Sequence, residues 1–390
     1  MAGKIPRNIE DIKRSKEHVI NNLVGIKFEG RVIPNFNENY KLEERMKDLN
    51  VPGIGINLIN NFHTEWEYYL GAQDLKSNIK VTNKTIFEAA STTKVFTTIL
   101  ALHLLEKGLL KLDENVNSYL KKWKIPENEF TKKEKVTLLR LLTHMAGINR
   151  PNSLFGVELD KKPTLIQVLN GKSPAINDPV KVEFIPGTKH QYSNLAFSII
   201  QKLLEDVTGK TYIQLIKEII FKPLSMNDST VEFPLPTQFA NRAVLPHTGE
   251  GEVKEKSLHP TAFGHGNLSC SPNDMSKFIL EILASYNGRS EKIISKKMVL
   301  QMLTSQKSFG SIELMGFSDQ ALGVFLLKGE KNFFFIHPGG NEPGTNCFML
   351  ASPITGQGAV IMTNGAKGDL LSLQILYRMA TEYNWGILKE

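Results

Sequence analysis

Cysteine is scarce: Cys270 and Cys347 are the two in 390 residues. Two thiols cannot build a disulfide framework, so both are expected as buried free thiols. No apolar run approaches the roughly 18 residues of a membrane-crossing helix, and no membrane span is expected. The nine histidines include His259 and His265, yet none falls in a His-Glu-x-x-His or similar ligand spacing. No metal and no cofactor is therefore expected. A phosphate loop is missing as well. Gly209-Lys210-Thr211 resembles its end, but Leu204 stands where the first glycine belongs. Zinc-finger spacings and dense basic stripes are absent, although the formal net charge is +7 and the pI about 9.1. The lysines come in short runs such as Lys121-Lys122 and Lys132-Lys133, interleaved with acids. That is the pattern of a solvated basic surface, so no nucleic-acid partner is expected.

What is present is a globular composition, 41% hydrophobic and 22% charged, long enough for two or three domains. Residues 9–22 read as a helix. Residues 53–59 and 64–71 read as a hairpin about Asn60-Asn61. Helical spacing follows over 91–107, closed by Gly108, then over 136–144, 195–207 and 212–220. Asn273-Asp274 reads as the cap of a helix over 275–283. Short strand-like runs return at 322–327, 333–336, 347–351 and 359–363, before a last helix over 370–383. Strands, then helices, then strands argue for α+β and not for alternating βαβ. The expectation is an antiparallel sheet flanked by helices, with an inserted helical domain. Residues 1–112 and 300–390 would form a discontinuous α/β domain and 113–299 a mainly helical one, with the active site between them.

Ser-x-x-Lys is the chemical signal. On a helix it places a hydroxyl and an amine one turn apart on one face. The spacing occurs three times, at Ser77 to Lys80, Ser91 to Lys94 and Ser118 to Lys121. The first and third sit in polar stretches, where the amine stays protonated. Lys94 instead opens the apolar run Val95-Phe96-Thr97-Thr98-Ile99-Leu100-Ala101-Leu102. Burial there disfavours the ammonium and turns the amine into a base. Ser91 also falls at a helix start, where N–H groups face developing negative charge.

Two further elements can join it. Tyr192-Ser193-Asn194 follows the turn Pro186-Gly187-Thr188. A tyrosine beside a lysine can relay the serine proton, and the Asn194 carboxamide can hydrogen-bond a substrate amide. His337-Pro338-Gly339-Gly340 follows the run Phe333-Phe334-Phe335-Ile336. Glycines there let a substrate backbone lie against the strand edge. A strand N–H could complete an oxyanion hole with that of Ser91.

In this order, Ser-x-x-Lys, Tyr-x-Asn and His-x-Gly, the chain resembles the serine β-lactamase and penicillin-binding-protein superfamily. It looks most like the class C β-lactamase-like branch, with its D-Ala-D-Ala carboxypeptidases, D-aminopeptidases and family VIII esterases. The likeness runs from about residue 40 to 380. It includes Leu141-Leu142-Thr143-His144-Met145-Ala146-Gly147-Ile148, Phe184-Ile185-Pro186-Gly187-Thr188, the segment 266–275, Pro343-Gly344 and Asn364-Gly365. The resemblance implies Ser91 as nucleophile, Lys94 as its activating partner and Tyr192 as general base. It implies Asn194 as a substrate-orienting residue, with the Ser91 and Gly340 N–H groups as the oxyanion hole. His337, Gly339 and Gly340 would line the substrate. The chain departs from class C β-lactamases at His337, where their Lys-Thr-Gly lysine binds a carboxylate. A neutral imidazole is the weaker anchor, so β-lactam turnover is expected to be weak.

The expectation is a serine hydrolase acting through an acyl-enzyme on an ester, a D-amino-acid peptide or a β-lactam-like amide. A non-hydrolytic penicillin-binding-like sensor and an acyltransferase to an alcohol or amine are the alternatives. The partner is a small-molecule or short-peptide substrate, and the oligomeric state is left open. Pocket shape is expected to depend on loops such as 150–171 and 245–265. The polar N-terminal segment lacks an apolar signal core. A cytoplasmic location is expected, or a periplasmic or secreted one if a leader precedes the chain.

Overall fold

The computed structural model describes residues 7–24, 27–28, 31–32, 39–76, 79–150, 162–253, 261–308, 317–329, 331–342 and 344–387. Ser77, His259, Pro343 and parts of the 150–171 and 245–265 loops lie outside the described residues.

Eight strands form one antiparallel sheet. They are β1 (Gly53–Asn60), β2 (His63–Gly71), β3 (Lys307–Ser308), β4 (Asp319–Gln320), β5 (Phe325–Lys328), β6 (Phe333–Asn341), β7 (Thr345–Ala351) and β8 (Gly358–Thr363). Their spatial order is β3-β4-β5-β6-β7-β8-β1-β2. The hairpin from the first third thus pairs with the last strand, Ile56 opposite Ile361. The α+β reading of the sequence describes this layout.

The sheet is covered on both faces, which explains why its central strands read as unbroken apolar runs. Every residue of β7 is buried. Successive side chains point to opposite faces. Cys347, Met349 and Ala351 enter one apolar cluster, while Phe348 and Leu350 enter another. The first cluster includes helices α2 (Thr93–Glu106), α3 (Asn194–Thr208) and α4 (Pro272–Tyr286). The second includes the terminal helix α5 (Gly368–Glu382) through Leu371, Ile375 and Met379. Each fully buried Leu, Ile or Phe contributes roughly 1.5–3 kcal/mol, so the sheet is a rigid base for anything mounted on its edge.

Helix α2 is apolar almost all round and passes through the interior. Its neighbour α3 starts from Ser193, whose hydroxyl accepts the Ala196 N–H, and stops at Gly209 with φ 72°.

Several boundaries differ from the sequence reading. The 136–144 segment keeps a helix only over Leu138–Leu142, and the 212–220 helix changes to a wider turn after Ile216. Ser271, not Asn273-Asp274, caps α4, because Pro272 occupies the first turn and needs no N–H partner. The Asp274 carboxylate accepts the Asp228 N–H and the Ser229 hydroxyl instead. The longest change is β6. The reading stopped at Ile336, but pairing with β7 carries the strand through His337-Pro338-Gly339-Gly340 to Asn341. Pro338 is tolerated because β5 pairs only with Phe333–Ile336, leaving the rest of β6 as a sheet edge.

Candidate active site

A short turn, Ala90–Thr92, leads into α2 and carries Ser91. Ala90 adopts φ 47°, a left-handed conformation unusual for a residue with a Cβ. The turn is held by its neighbours. The Ala89 N–H donates to Leu268 O at 2.8 Å, and the Thr93 hydroxyl donates to Ala90 O at 2.6 Å. On the sheet side the Thr92 hydroxyl donates to His337 O at 3.2 Å. Gly339 makes this docking possible. A Cβ there would lie 2.2 Å from Ala89 O and 3.1 Å from the Ser91 nitrogen. The missing side chain is therefore what lets the β6 edge and the Ser91 N–H come together.

Lys94 sits one turn further along and is fully buried. Its Nζ lies 3.0 Å from Ser91 Oγ and 2.7 Å from His265 O. Burial holds the amine well below its ordinary pKa of 10.5. The amine donates both to the Ser91 oxygen and to the His265 carbonyl. The competing spacings lack this environment, since Lys80 and Lys121 are both exposed.

Tyr192 meets the same serine from the position just before the Ser193 cap of α3. A Tyr192–Ser91 hydrogen bond and the Arg150 charge favour the phenolate, but burial outweighs them and raises the phenol pKa above 10.0. The Lys94 Nζ lies 5.0 Å from its ring centroid. Burial thus disfavours the charged form of both groups, the Tyr192 phenolate and the Lys94 ammonium.

His144 shapes this corner, a residue the sequence reading quoted in a motif without a role. It adopts φ 56° and is buried. Its carbonyl accepts the Gln191 N–H at 2.8 Å, and its Nδ1 accepts the Ser193 N–H at 3.2 Å. It therefore holds both residues that flank Tyr192, and its ring lies 4.3 Å from the tyrosine ring. Nδ1 as acceptor makes the imidazole neutral. Burial, then the nearby Lys94, lowers its pKa well below 6.5.

His337 is buried as well, 2% exposed. Its Nδ1 donates to Pro338 O at 2.8 Å, leaving Nε2 as an acceptor. Burial, reinforced by Lys94, lowers its pKa to about 3. At neutral pH this position is an uncharged ring.

A cavity of about 280 Å3 opens over these groups. Ser91, Tyr192, His337, Gly339 and Gly340 line it together. Asn194 does not. It begins α3, and its Oδ1 is buried with no hydrogen-bond partner among the described residues. Phe317, Phe325, Phe348, Asn346 and Asp369 also line the cavity, and no sequence motif singled them out. The Asn364 carboxamide is structural, accepting the Gly53 N–H and donating to Gln73 O. Both cysteines are free and buried, and burial pushes the Cys347 thiol up to about 12. Among the described residues no group of three or more His, Cys, Asp or Glu could hold a metal, and no helix is long and apolar enough to cross a membrane.

A family model described as Beta-lactamase matches residues 40–380. The D-alanyl-D-alanine-carboxypeptidase/endopeptidase AmpH of Escherichia coli (strain K12) is 25% identical over 292 residues, covering 73% of this chain and 72% of that protein. Among solved structures, the octameric penicillin-binding protein homologue from Pyrococcus abyssi superposes with a TM-score of 0.70 at 23% identity, covering 88% of this chain and 77% of that one. The D-amino acid amidase from Ochrobactrum anthropi SV3 superposes with a TM-score of 0.71 at 20% identity, covering 96% and 99%. The fold is thus that of penicillin-binding-protein-like and amidase structures.

Proposed function

The chain belongs to the β-lactamase family, and on that footing we propose that it is a serine hydrolase working through an acyl-enzyme on Ser91. The observation that carries this reading is the fully buried Lys94 amine 3.0 Å from the Ser91 hydroxyl.

Acylation begins when Lys94 Nζ takes the Ser91 proton and Oγ attacks the substrate carbonyl carbon. The Ser91 and Gly340 N–H groups bind the resulting oxyanion. The carbon–leaving-group bond then breaks as the leaving group takes the Tyr192 phenolic proton. The ammonium formed on Lys94 stabilises the phenolate. In deacylation the Tyr192 phenolate removes a proton from water, whose oxygen attacks the acyl carbon. Ser91 Oγ departs and recovers its proton from Lys94. Every proton is returned, and Tyr192 acts first as acid and then as base. His337 offers Nε2 as an acceptor to the substrate, while Asn194, which does not line the cavity, takes no direct part. The site lies where an α/β domain of residues 1–112 and 300–390 meets a helical one of 113–299.

A substrate among D-amino-acid peptides and amides is supported by the activities of the relatives, a D-alanyl-D-alanine carboxypeptidase/endopeptidase and a D-amino acid amidase. The neutral His337 argues against a strong carboxylate anchor at that wall. A charge-assisted hydrogen bond contributes about 1.5–3 kcal/mol, or roughly ten- to a hundredfold in binding. Turnover of short-chain p-nitrophenyl esters and D-alanyl amides is therefore expected to exceed that of nitrocefin by about that factor or more. A nitrocefin rate equal to the ester rate would contradict the reading of His337. No turnover of any member of the panel would contradict the hydrolase itself.

A further inference from the structure

Besides Ser91, the Lys94 amine has a second hydrogen-bond partner, His265 O at 2.7 Å. That carbonyl belongs to neither α2 nor α3 but to the short turn Phe263–His265. A carbonyl binds an ammonium more strongly than a neutral amine, because charge-assisted hydrogen bonds are the stronger ones. The contact therefore gains most when Lys94 has taken the Ser91 proton. Lys94 is fully buried, so bulk water cannot replace the carbonyl. The other ionisable groups that face the amine are His144, His337 and Tyr192. Burial disfavours the charged form of all three, so in the resting site none of them sets a negative charge beside Lys94.

The turn is held from both helices. On α3, Gln201 is 1% exposed. Its Oε1 accepts the Gly264 N–H at 2.9 Å, and its Nε2 donates to Thr261 O at 2.9 Å and to Glu205 Oε1 at 3.3 Å. Two acceptors on the nitrogen dictate which way the carboxamide points. On α2, one turn beyond Lys94, the Thr97 hydroxyl donates to Gly264 O at 2.6 Å. With that hydrogen committed, the Tyr212 hydroxyl, 2.7 Å away, is the donor to Thr97 Oγ1. Gly264 is thus pinned at its N–H and at its C=O. Its lack of a side chain permits the fit, since a Cβ there would lie 3.0 Å from Phe197 O and 3.1 Å from Gln201 Cβ. Ser91 and Tyr192 line the cavity, but Gln201 and Thr97 do not.

We propose that Gln201 is a positioning residue for the proton transfer: with Thr97 it holds the Phe263–His265 turn so that the His265 carbonyl receives the ammonium formed on Lys94. This rests on the reading of Lys94 as the base for Ser91 and adds to it residues that touch neither the serine nor the substrate. The proton passes from Ser91 Oγ to Lys94 Nζ as before. His265 O accepts a hydrogen bond from the ammonium and takes no proton itself.

The test follows p-nitrophenyl butyrate hydrolysis by the full chain. Gln201→Met keeps the length of the side chain and removes its hydrogen bonds, and Thr97→Val does the same from α2. Each breaks a different bond to Gly264, so either folded variant serves. Each is expected to lower kcat by about tenfold or more, the size of one hydrogen bond to a charged group. KM is expected to stay within about twofold, because the loss falls in the transition state and not in substrate binding. In the Lys94→Met background the same substitutions are expected to change the residual rate by less than about twofold, since no amine is left to position. The proposal is overturned if variants with wild-type circular dichroism keep wild-type kcat, or if they raise KM instead. It is equally overturned if they slow the Lys94→Met protein by the same factor as the wild type, which a general loosening of the site would do. Failure of the underlying reading looks different: Lys94→Met would then itself remain active.

Discussion

Ser91→Ala and Lys94→Met should each remove turnover of every substrate, by about 1,000-fold or more for the lysine and up to about a million-fold for the nucleophile. The two losses should not add, because Lys94 acts only through the Ser91 proton. The pH dependence separates this mechanism from one with a protonated lysine. Burial lowers the Lys94 pKa below 10.5, and the amine must be neutral to accept the proton. kcat/KM should therefore rise with pH through the lowered Lys94 pKa, and the plateau should be reached well before 10.5. Lys94 also bears on stability. Its folded pKa lies below its unfolded one, so the unfolded chain binds more protons over the interval between them, and stability falls as pH drops through it. Lys94→Met fills the same space with an uncharged side chain. The inactive variant is thus expected to melt at a higher temperature than the wild type at pH 7, as removal of a functional strain does. A variant that keeps a tenth of the activity, or loses stability at pH 7, would place the base elsewhere.

Acid should unfold this protein early. His337 and His144 are buried and neutral, with pKa values lowered to about 3 and well below 6.5. In the unfolded chain both titrate near 6.5. The stability they permit is fully present above that value and is lost as pH falls from 6.5 towards their folded values. His337, with its pKa lowered to about 3, contributes a slope approaching ~1.4 kcal/mol per pH unit below 6.5. Between pH 6.5 and 5 it removes roughly 1.6 kcal/mol and His144 acts in the same direction, against the 5–15 kcal/mol typical of a folded domain. Urea midpoints measured from pH 7.5 to 5 should drop accordingly. His337→Asn should flatten the slope by about one proton. A midpoint constant over that range would mean that these imidazoles reach solvent in the folded state.

The sequence carried the chemical core of the site because its cause is local. The apolar run after Lys94 is both why α2 is buried and why the amine is desolvated, so one signal served fold and function. Tyr192 was legible for a similar reason, as a residue placed at the start of a well-patterned helix. His337 was only half legible. Its glycines point to a strand edge, but only pairing with Thr345–Ala351 carries the strand on to Asn341 and buries the ring. The pull of burial on Tyr192 was not legible, since the sequence shows a neighbouring lysine but not that burial acts on both groups. Phe317, Phe348 and Asp369 were not legible as a site at all. They come from separate elements and meet only because the β5–β7 part of the sheet and the start of α5 frame one cavity. His144 lies between these extremes: its motif was visible, but not that its carbonyl and Nδ1 hold the backbone on both sides of Tyr192.

The most direct measurement is the intact mass of the protein, acid-quenched during turnover of a p-nitrophenyl ester and then digested to locate the label. Acylation at Ser91 predicts a mass gain equal to the acyl group, confined to the peptide containing Ser91 and absent from Ser91→Ala. Turnover by the wild type with no covalent species, or a label on another residue that survives in Ser91→Ala, would contradict it.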